Sequence, residues 1–286
     1  MRGAHESDDM LSTIAYGLTI GAILYLVSVG LSLTFGTMRI VNFAHGLVYT
    51  IGAYFLLTLL PFAGGHFFLC ATAAVLLTIP ISYAVERFVV RRLYGVSIDY
   101  AIIATYAVVL IGVDLIKWIW GATPKPLSDP IGTEISLLGV TLPTFRVVII
   151  GLAIVLALAL WLFFKYTMVG KIVVASLEDK DAVRGLGIDV DRYFCYVFVL
   201  GSCLAALGGV LYAPITSVNP YMGFMTLLIS FAVVIVGGLG NLKGTFIASF
   251  ALGLLMAIIG RFWGPASETA VFVVMIGALI LKPIEV

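Results

Sequence analysis

Charge is what this sequence has least of. Of its 286 residues, 11% are Asp, Glu, Lys or Arg and 62% are hydrophobic, whereas a soluble globular domain carries roughly a quarter of its residues charged. That excludes a soluble domain and points to an integral membrane protein. Cysteine is nearly as scarce: Cys70, Cys195 and Cys203 all fall in apolar segments, with no Cys-x-x-Cys spacing. A disulfide framework or a cysteine metal site is not indicated, and the three read as reduced packing residues. Carboxylates are missing from the central parts of the apolar runs, where ion-coupled carriers commonly place ionisable groups. No catalytic dyad, nucleophile motif or metal cluster is present. If the protein moves solute uphill, the energy comes from another subunit.

What is present is long apolar sequence. No Asp, Glu, Lys or Arg occurs from Met10 to Met38, from Ile40 to Val85 or from Tyr193 to Leu242. Each run exceeds the roughly 20 residues that span a hydrocarbon core, and the last two are long enough to cross twice. The runs are apolar all round and do not alternate over about ten residues, so they are helices and not outer-membrane strands. The polar start MRGAHESDDM is followed by an apolar run with no clear cleavage site and too long for a signal-peptide core. It reads as a retained helix, with Met10 as a second candidate start.

Helix breakers and charges mark the reversals, because backbone that leaves a helix inside lipid strands polar groups. The predicted spans are 12–35, 44–60, 66–85, 99–119, 145–165, 193–213, 223–238, 244–260 and 267–282, two of them short. The expected architecture is all-α: one polytopic transmembrane domain over residues 1–286, of eight to nine segments with broken or re-entrant helices. With the 166–192 loop in the cytoplasm, Arg39, Arg87, Arg91, Arg92, Lys165, Lys171, Lys180, Arg184, Arg192, Lys243 and Lys282 lie inside. Arg2, Lys117, Lys125, Arg146 and Arg261 then lie outside, in line with the positive-inside rule. Trp118, Trp120 and Trp263 sit at predicted outer span ends and Trp161 near an inner one, as interfacial anchors do. Asp114 and Lys117 read as an interfacial ion pair. Small residues four apart, at Gly17 and Gly21, at Gly201, Ala205 and Gly209, and at Ser249, Gly253 and Ala257, read as close-packing stripes, within the chain or against a second subunit.

Three polar stretches interrupt this pattern. GKIVVASLEDKDAVRGLGIDVDR, Gly170 to Arg192, is the most charged. Ser176 can cap a short helix with Asp179 three residues on, and Leu177, Ala182, Val183 and Leu186 give that helix a partly apolar side. Gly185 and Gly187 end it, and Asp189 or Asp191 can cap the next span. Two readings stand: a solvated linker, or a docking helix on the membrane surface presenting Glu178, Asp179, Lys180 and Arg184 to a partner. VVIVGGLGNLKGTF, Val233 to Phe246, has the glycines of a phosphate loop but neither its strand–helix context nor Gly-Lys-Ser/Thr. It suits a tight reversal or a broken helix lining a cavity. MRIVNFAHGLVYTIGAY, Met38 to Tyr54, places Arg39, Asn42 and His45 after a helix break. His45 has no second His nearby for a metal and suits a hydrogen-bonded structural role. Asn42 needs a partner and either ties down loosened backbone or faces a water-filled path.

MRIVNFAHG followed by Tyr-x-x-Gly-Ala-Tyr, EDKDAVRGLGIDVDR before a small-residue helix, and GGLGNLKGTFIASFALG occur here in that order. Together they make the chain similar, from about Met10 onward, to the permease subunits of branched-chain amino acid ABC importers of the LivH type. The resemblance implies a pore-forming subunit in a bacterial-type cytoplasmic membrane, with no cofactor and no enzyme activity of its own. It implies a second permease, usually a related different chain, two cytoplasmic ATPases that use the ATP, an extracytoplasmic solute-binding protein, surrounding lipid, and no nucleic acid. Ala175 to Gly187 matches the family's coupling segment, so Glu178, Asp179, Arg184, Gly185 and Leu186 inherit the ATPase stroke. The segment carries Ala-Ser-Leu-Glu where the broad permease pattern has Glu-Ala-Ala.

The resemblance further suggests alternating access. Asn42, Phe43, His45 and Gly46 lie near the inward end of the path, and Gly237, Gly238 and Gly240 play a matching part in the second half. Related permeases serve branched-chain or other amino acids, urea and short amides, or aromatic acids. A stand-alone channel or secondary carrier, and a membrane enzyme, are the rival classes.

Overall fold

The computed structural model describes residues 2–137 and 140–281, the side chains of 2–9, 137, 140 and 177 excepted. Lys282 and the side chains of Arg2 and Leu177, used in the sequence reading, lie outside the described residues. The helices are α1 (Arg2–Met38), α2 (Ala44–Leu59), α3 (Phe67–Phe88), α4 (Ile98–Trp120), α5 (Thr144–Tyr166), α6 (Met168–Glu178), α7 (Lys180–Gly185), α8 (Val190–Tyr212), α9 (Met222–Gly237), α10 (Leu242–Phe262) and α11 (Ala266–Leu281). A 3-10 turn, Val90–Leu93, follows α3.

Among the described residues, six stretches are long and apolar enough to cross a bilayer: Met10–Met38, Phe67–Leu93, Ile98–Trp120, Thr144–Tyr166, Val190–Tyr212 and Leu242–Phe262. The remaining apolar helices, α2, α9 and α11, are 16 residues each, or about 24 Å, short of a core about 30 Å thick. The polytopic helical bundle is therefore as expected, and six of the eight to nine segments have spanning length. One departure from all-α is a hairpin in the α4–α5 loop, where β1 (Glu134–Leu137) pairs antiparallel with β2 (Val140–Pro143), Ile135 opposite Leu142.

Burial ranks the helices. In the most apolar stretch of α1, 83% of residues are buried, against 17% in α5, so α1 is the central post and α5 stands at the rim. The small-residue stripes are what let α1 sit centrally. Gly253 of α10 packs onto the backbone of Gly17 and Gly21, and Gly201 of α8 lies against Gly30. A Cβ on Gly201 would meet the Gly30 carbonyl oxygen at 2.8 Å. These stripes pack within the chain, which lets helix backbones meet without large side chains between them. The rim shows apolar side chains outward, among them Leu69, Leu76, Ile103, Ile111, Val155 and Leu158, as a surface facing hydrocarbon does.

Aromatic residues and charges gather at the end of the bundle away from α6 and α7. Trp120 donates its indole N–H to Thr58 Oγ1 at 2.9 Å, Arg146 stacks on the Tyr16 ring at 3.6 Å, and Lys117 pairs with Asp114 at 3.0 Å. Trp118 in the last turn of α4 and Trp263 just past the end of α10 are exposed. At the other end of α5, Lys165 lies 4.6 Å from the Trp161 ring. All three cysteines are free thiols, Cys70 and Cys195 buried.

Candidate functional site

The break between α1 and α2 comes later than the Thr34–Thr37 stretch suggests. Thr34 and Thr37 turn their hydroxyls back onto the carbonyls of Leu31 and Leu33, at 3.0 and 2.8 Å, so neither competes for the backbone and the helix runs on to Met38. It stops at Arg39, whose φ of 53° puts it in the left-handed region, uncommon for a residue with a Cβ. The irregular segment behind it is held by Thr105 of α4. The Thr105 hydroxyl accepts from the Phe43 N–H at 3.2 Å, and it lies 2.7 Å from the Ala101 carbonyl and 3.4 Å from the Val41 carbonyl.

The three residues singled out here have different surroundings. Asn42 is 1% exposed, and neither of its amide atoms has a partner among the described residues. His45 is fully enclosed beside the Gly30–Gly201 contact, with Nε2 2.9 Å from the Val27 carbonyl. Phe43 packs on Phe231 of α9 and edge-on to Tyr106 of α4, with ring centres 5.4 and 6.1 Å apart. It lines an apolar cleft of about 630 Å³ together with Leu31, Phe35, Ile98, Val234 and Leu239. Gly46 touches Gly223 backbone to backbone.

The glycine turn of the second half lies at this same end. Gly238 and Gly240 have φ of 90° and 75°, conformations open to a residue without a Cβ. Asn241 then caps α10 by accepting the Gly244 N–H at 3.1 Å. Gly237 packs against Gly244, and Gly240 against Gly36 near the end of α1. The turn joins two helices, which removes the strand–helix setting that a phosphate loop requires. Phe43 and Leu239 share one apolar cluster, so the fold brings the two breaks together although nearly two hundred residues separate them.

The charged loop forms two short helices. Thr167 caps α6 by accepting the Gly170 N–H at 3.0 Å. Asp179 then breaks the chain and caps α7, accepting from the N–H groups of Asp181 and Ala182 at 3.0 and 2.9 Å. The capping role expected of Ser176 is therefore corrected: Ser176 lies in the last turn of α6, buried, with its hydroxyl donated to the Ile172 carbonyl at 2.8 Å. An ionised carboxylate is the stronger acceptor for two adjacent N–H groups. The residues expected on the partly apolar side of the helix fall in different surroundings. Val183 is buried, while Leu186 is 78% exposed past the end of α7. Gly185 is the last residue of α7, Gly187 turns with φ of 81°, and Asp189 caps α8.

Glu178, Asp179, Lys180 and Arg184 line a polar cleft of about 420 Å³, and its far wall is Gly36 to Arg39 with Tyr94 and Asp191. The charged loop and the α1–α2 break, read separately in the sequence, are thus two walls of one cavity. Below it Val183, Ile172 and Val190 share a core with Met38, Ile40 and Val90. Sequence reasoning missed two residues here. Glu86, one residue past the predicted end of its span, is fully buried and accepts the Tyr94 hydroxyl at 2.8 Å. Burial, and then the Glu86 carboxylate, push the Tyr94 phenol well above its usual range. Among the described residues no group of three His, Cys, Asp or Glu could hold a metal.

The family model for the branched-chain amino acid transport system permease component matches residues 13–282. The chain belongs to that family. The LivH-type resemblance carried by the three motifs thus holds over nearly the whole chain, and the chain is a multi-pass membrane transport protein of the ABC permease class. The high-affinity branched-chain amino acid transport system permease protein BraD of Pseudomonas aeruginosa is 29% identical over 291 residues, covering 96% of this chain and 94% of that one. The corresponding LivH of Escherichia coli K12 is 26% identical over 282 residues, 93% of this chain and 92% of that one. A protein of Methanocaldococcus jannaschii described as a probable LivH is 28% identical over 299 residues, 92% and 89% of the two chains. These relatives are described as permease proteins of amino acid transport systems.

Proposed function

We propose that this chain is the membrane-spanning subunit of an ATP-driven importer for branched-chain amino acids, working as one permease domain in a bacterial-type inner membrane. Its complement is a second permease of related but different sequence, two ATPases below the α6–α7 end, which faces the cytoplasm, and a solute-binding protein at the opposite end. The observation that carries the reading is the shared cleft. Exposed charged residues of α6 and α7 form one wall and the backbone break at Arg39 forms the other, so a push on α7 reaches the place where the central helix ends. Family membership supplies the cargo class, since the relatives are named for branched-chain amino acid transport.

In this reading α2, α9 and α11 are membrane segments too, which brings the count to nine, with the irregular backbone at 39–43 and 238–241 at the end that carries the polar cleft, where solvent can satisfy exposed backbone groups. Asn42, Phe43, His45, Gly46, Gly237, Gly238 and Gly240 surround the inward end of the path. Glu178, Asp179, Lys180, Arg184, Gly185 and Leu186 make up the coupling segment. Energy enters through ATP on the partner subunits, and the chain itself needs no cofactor.

The test is uptake of radiolabelled leucine into proteoliposomes holding the chain with its partner subunits and binding protein. The expected result is uptake that requires both ATP and the binding protein. Uptake by the chain alone without ATP would instead make it a channel or secondary carrier.

A further inference from the structure

Arg184 is turned toward its own chain. Its guanidinium lies 2.8 Å from Asp191 Oδ1 in the first turn of α8 and 3.6 Å from Asp181, three residues back in α7. The other oxygen of Asp191 lies 4.0 Å from the guanidinium of Arg91, in the turn that follows α3. One carboxylate therefore stands between two cations, one on the docking helix and one at the end of a membrane helix. Asp191 is not needed to start α8, because Asp189 caps that helix.

Packing runs along the same line. Val183 of α7 is buried with Val190 of α8 and with Val90, the neighbour of Arg91. Tyr94 joins the group from the other side, with its hydroxyl on Glu86 of α3 and its ring edge-on to Phe194 of α8 at 5.9 Å. The docking helix is thus attached to α3 and α8 together, through a charged bridge and an apolar layer beneath it.

We propose that Arg184, Asp191 and Arg91 form the link that carries movement of α7 into α3 and α8, with Asp191 as its central positioning residue. Arg184 then acts inward, and the ATPase contact is made by Leu186, Glu178 and Lys180. The proposal rests on the reading that α7 receives the ATPase stroke. The side chains are partly solvated, at 46%, 31% and 29% exposure for Arg184, Asp191 and Arg91, so the bridge is a weak glue for the fold but a fixed spacing between helices. Removing its charge leaves two guanidinium groups facing each other, and α7 is no longer held in register with α3 and α8.

The experiment uses the complete reconstituted transporter with Asp191→Asn, Asp191→Glu and, as a second partly solvated variant, Arg91→Gln. The readouts are ATPase subunits retained, ATP hydrolysed and leucine moved per ATP. Asp191→Asn and Arg91→Gln should keep the ATPases bound and hydrolysing while leucine per ATP falls roughly fivefold, a modest allosteric coupling, and Asp191→Glu should restore most of it. Unchanged leucine per ATP in both variants overturns the link, as does a loss that appears as shed ATPase subunits. If the unaltered chain retains no ATPase, the underlying reading fails first, before any variant is compared.

Discussion

Gly46 and Gly223 meet backbone to backbone. A Cβ on Gly46 would lie 2.5 Å from the Gly223 carbonyl oxygen, and the Gly223 N–H is donated to Thr50 Oγ1 at 3.0 Å. The two short helices α2 and α9 thus touch near their first turns, one from each half of the chain. Each begins within the same pattern, Val-Asn and a Gly four residues after the Asn, at Val41–Gly46 and Val218–Gly223.

Because no side chain fits at this contact, Gly223→Ala should separate α2 from α9. Overpacking of this kind costs about 1–3 kcal/mol, and the clash is with backbone, which cannot rotate away. A fall in the unfolding temperature of purified Gly223→Ala should be clear, while Gly151→Ala, in open space on α5, leaves it unchanged. Equal stability of both variants would show that the helices do not approach this closely.

Asn42 and His45 should separate in the same assay. His45 is packed and bonded to Val27, so His45→Ala leaves a cavity and costs about 2 kcal/mol or more. Asn42 is buried without a partner, so Asn42→Ala changes stability by no more than about 1 kcal/mol. A loss of leucine uptake in Asn42→Ala at normal stability assigns the amide to the path. If uptake and assembly are normal in the double alanine variant, both residues are bystanders.

Asp179→Ala should fray α7. Losing a cap of this kind costs about 1 kcal/mol, enough to raise hydrogen exchange of residues 180–186, whereas Asp179→Ser keeps a side-chain acceptor and much of the protection. Ser176→Ala removes a back-bond inside α6 and no cap, so α7 exchange should not change. The opposite ranking would restore Ser176 as the cap.

Much of this was legible in the sequence, and the exceptions have physical causes. Span positions came from charge, proline and glycine, because lipid penalises charge and broken backbone wherever they fall. Asp189 as a cap and Gly187 as a stop are local features, visible at short range. Ser176 misled because two candidate acceptors stand three residues apart and only the fold shows which one meets free N–H groups. The hairpin at 134–143 escaped because a short alternating pair outside the membrane gives a weak pattern beside long apolar runs. Glu86, Arg91, Tyr94 and Asp191 come together through tertiary packing of α3 on α8, which no spacing in the chain announces. Thr105 was likewise invisible, as an ordinary helical threonine whose partner is a broken strand of backbone some sixty residues away.

The most direct test of the α6–α7 segment as the receiver of the ATPase stroke is photo-crosslinking from position 186 in the assembled, leucine-transporting complex. Leu186, exposed at the end of α7, is replaced by p-benzoylphenylalanine, with Trp118, exposed at the opposite end of the bundle, as the control position. An adduct with an ATPase subunit should form from 186 and none from 118. A transport-competent complex that gives no ATPase adduct from 186 would contradict the docking role of this segment.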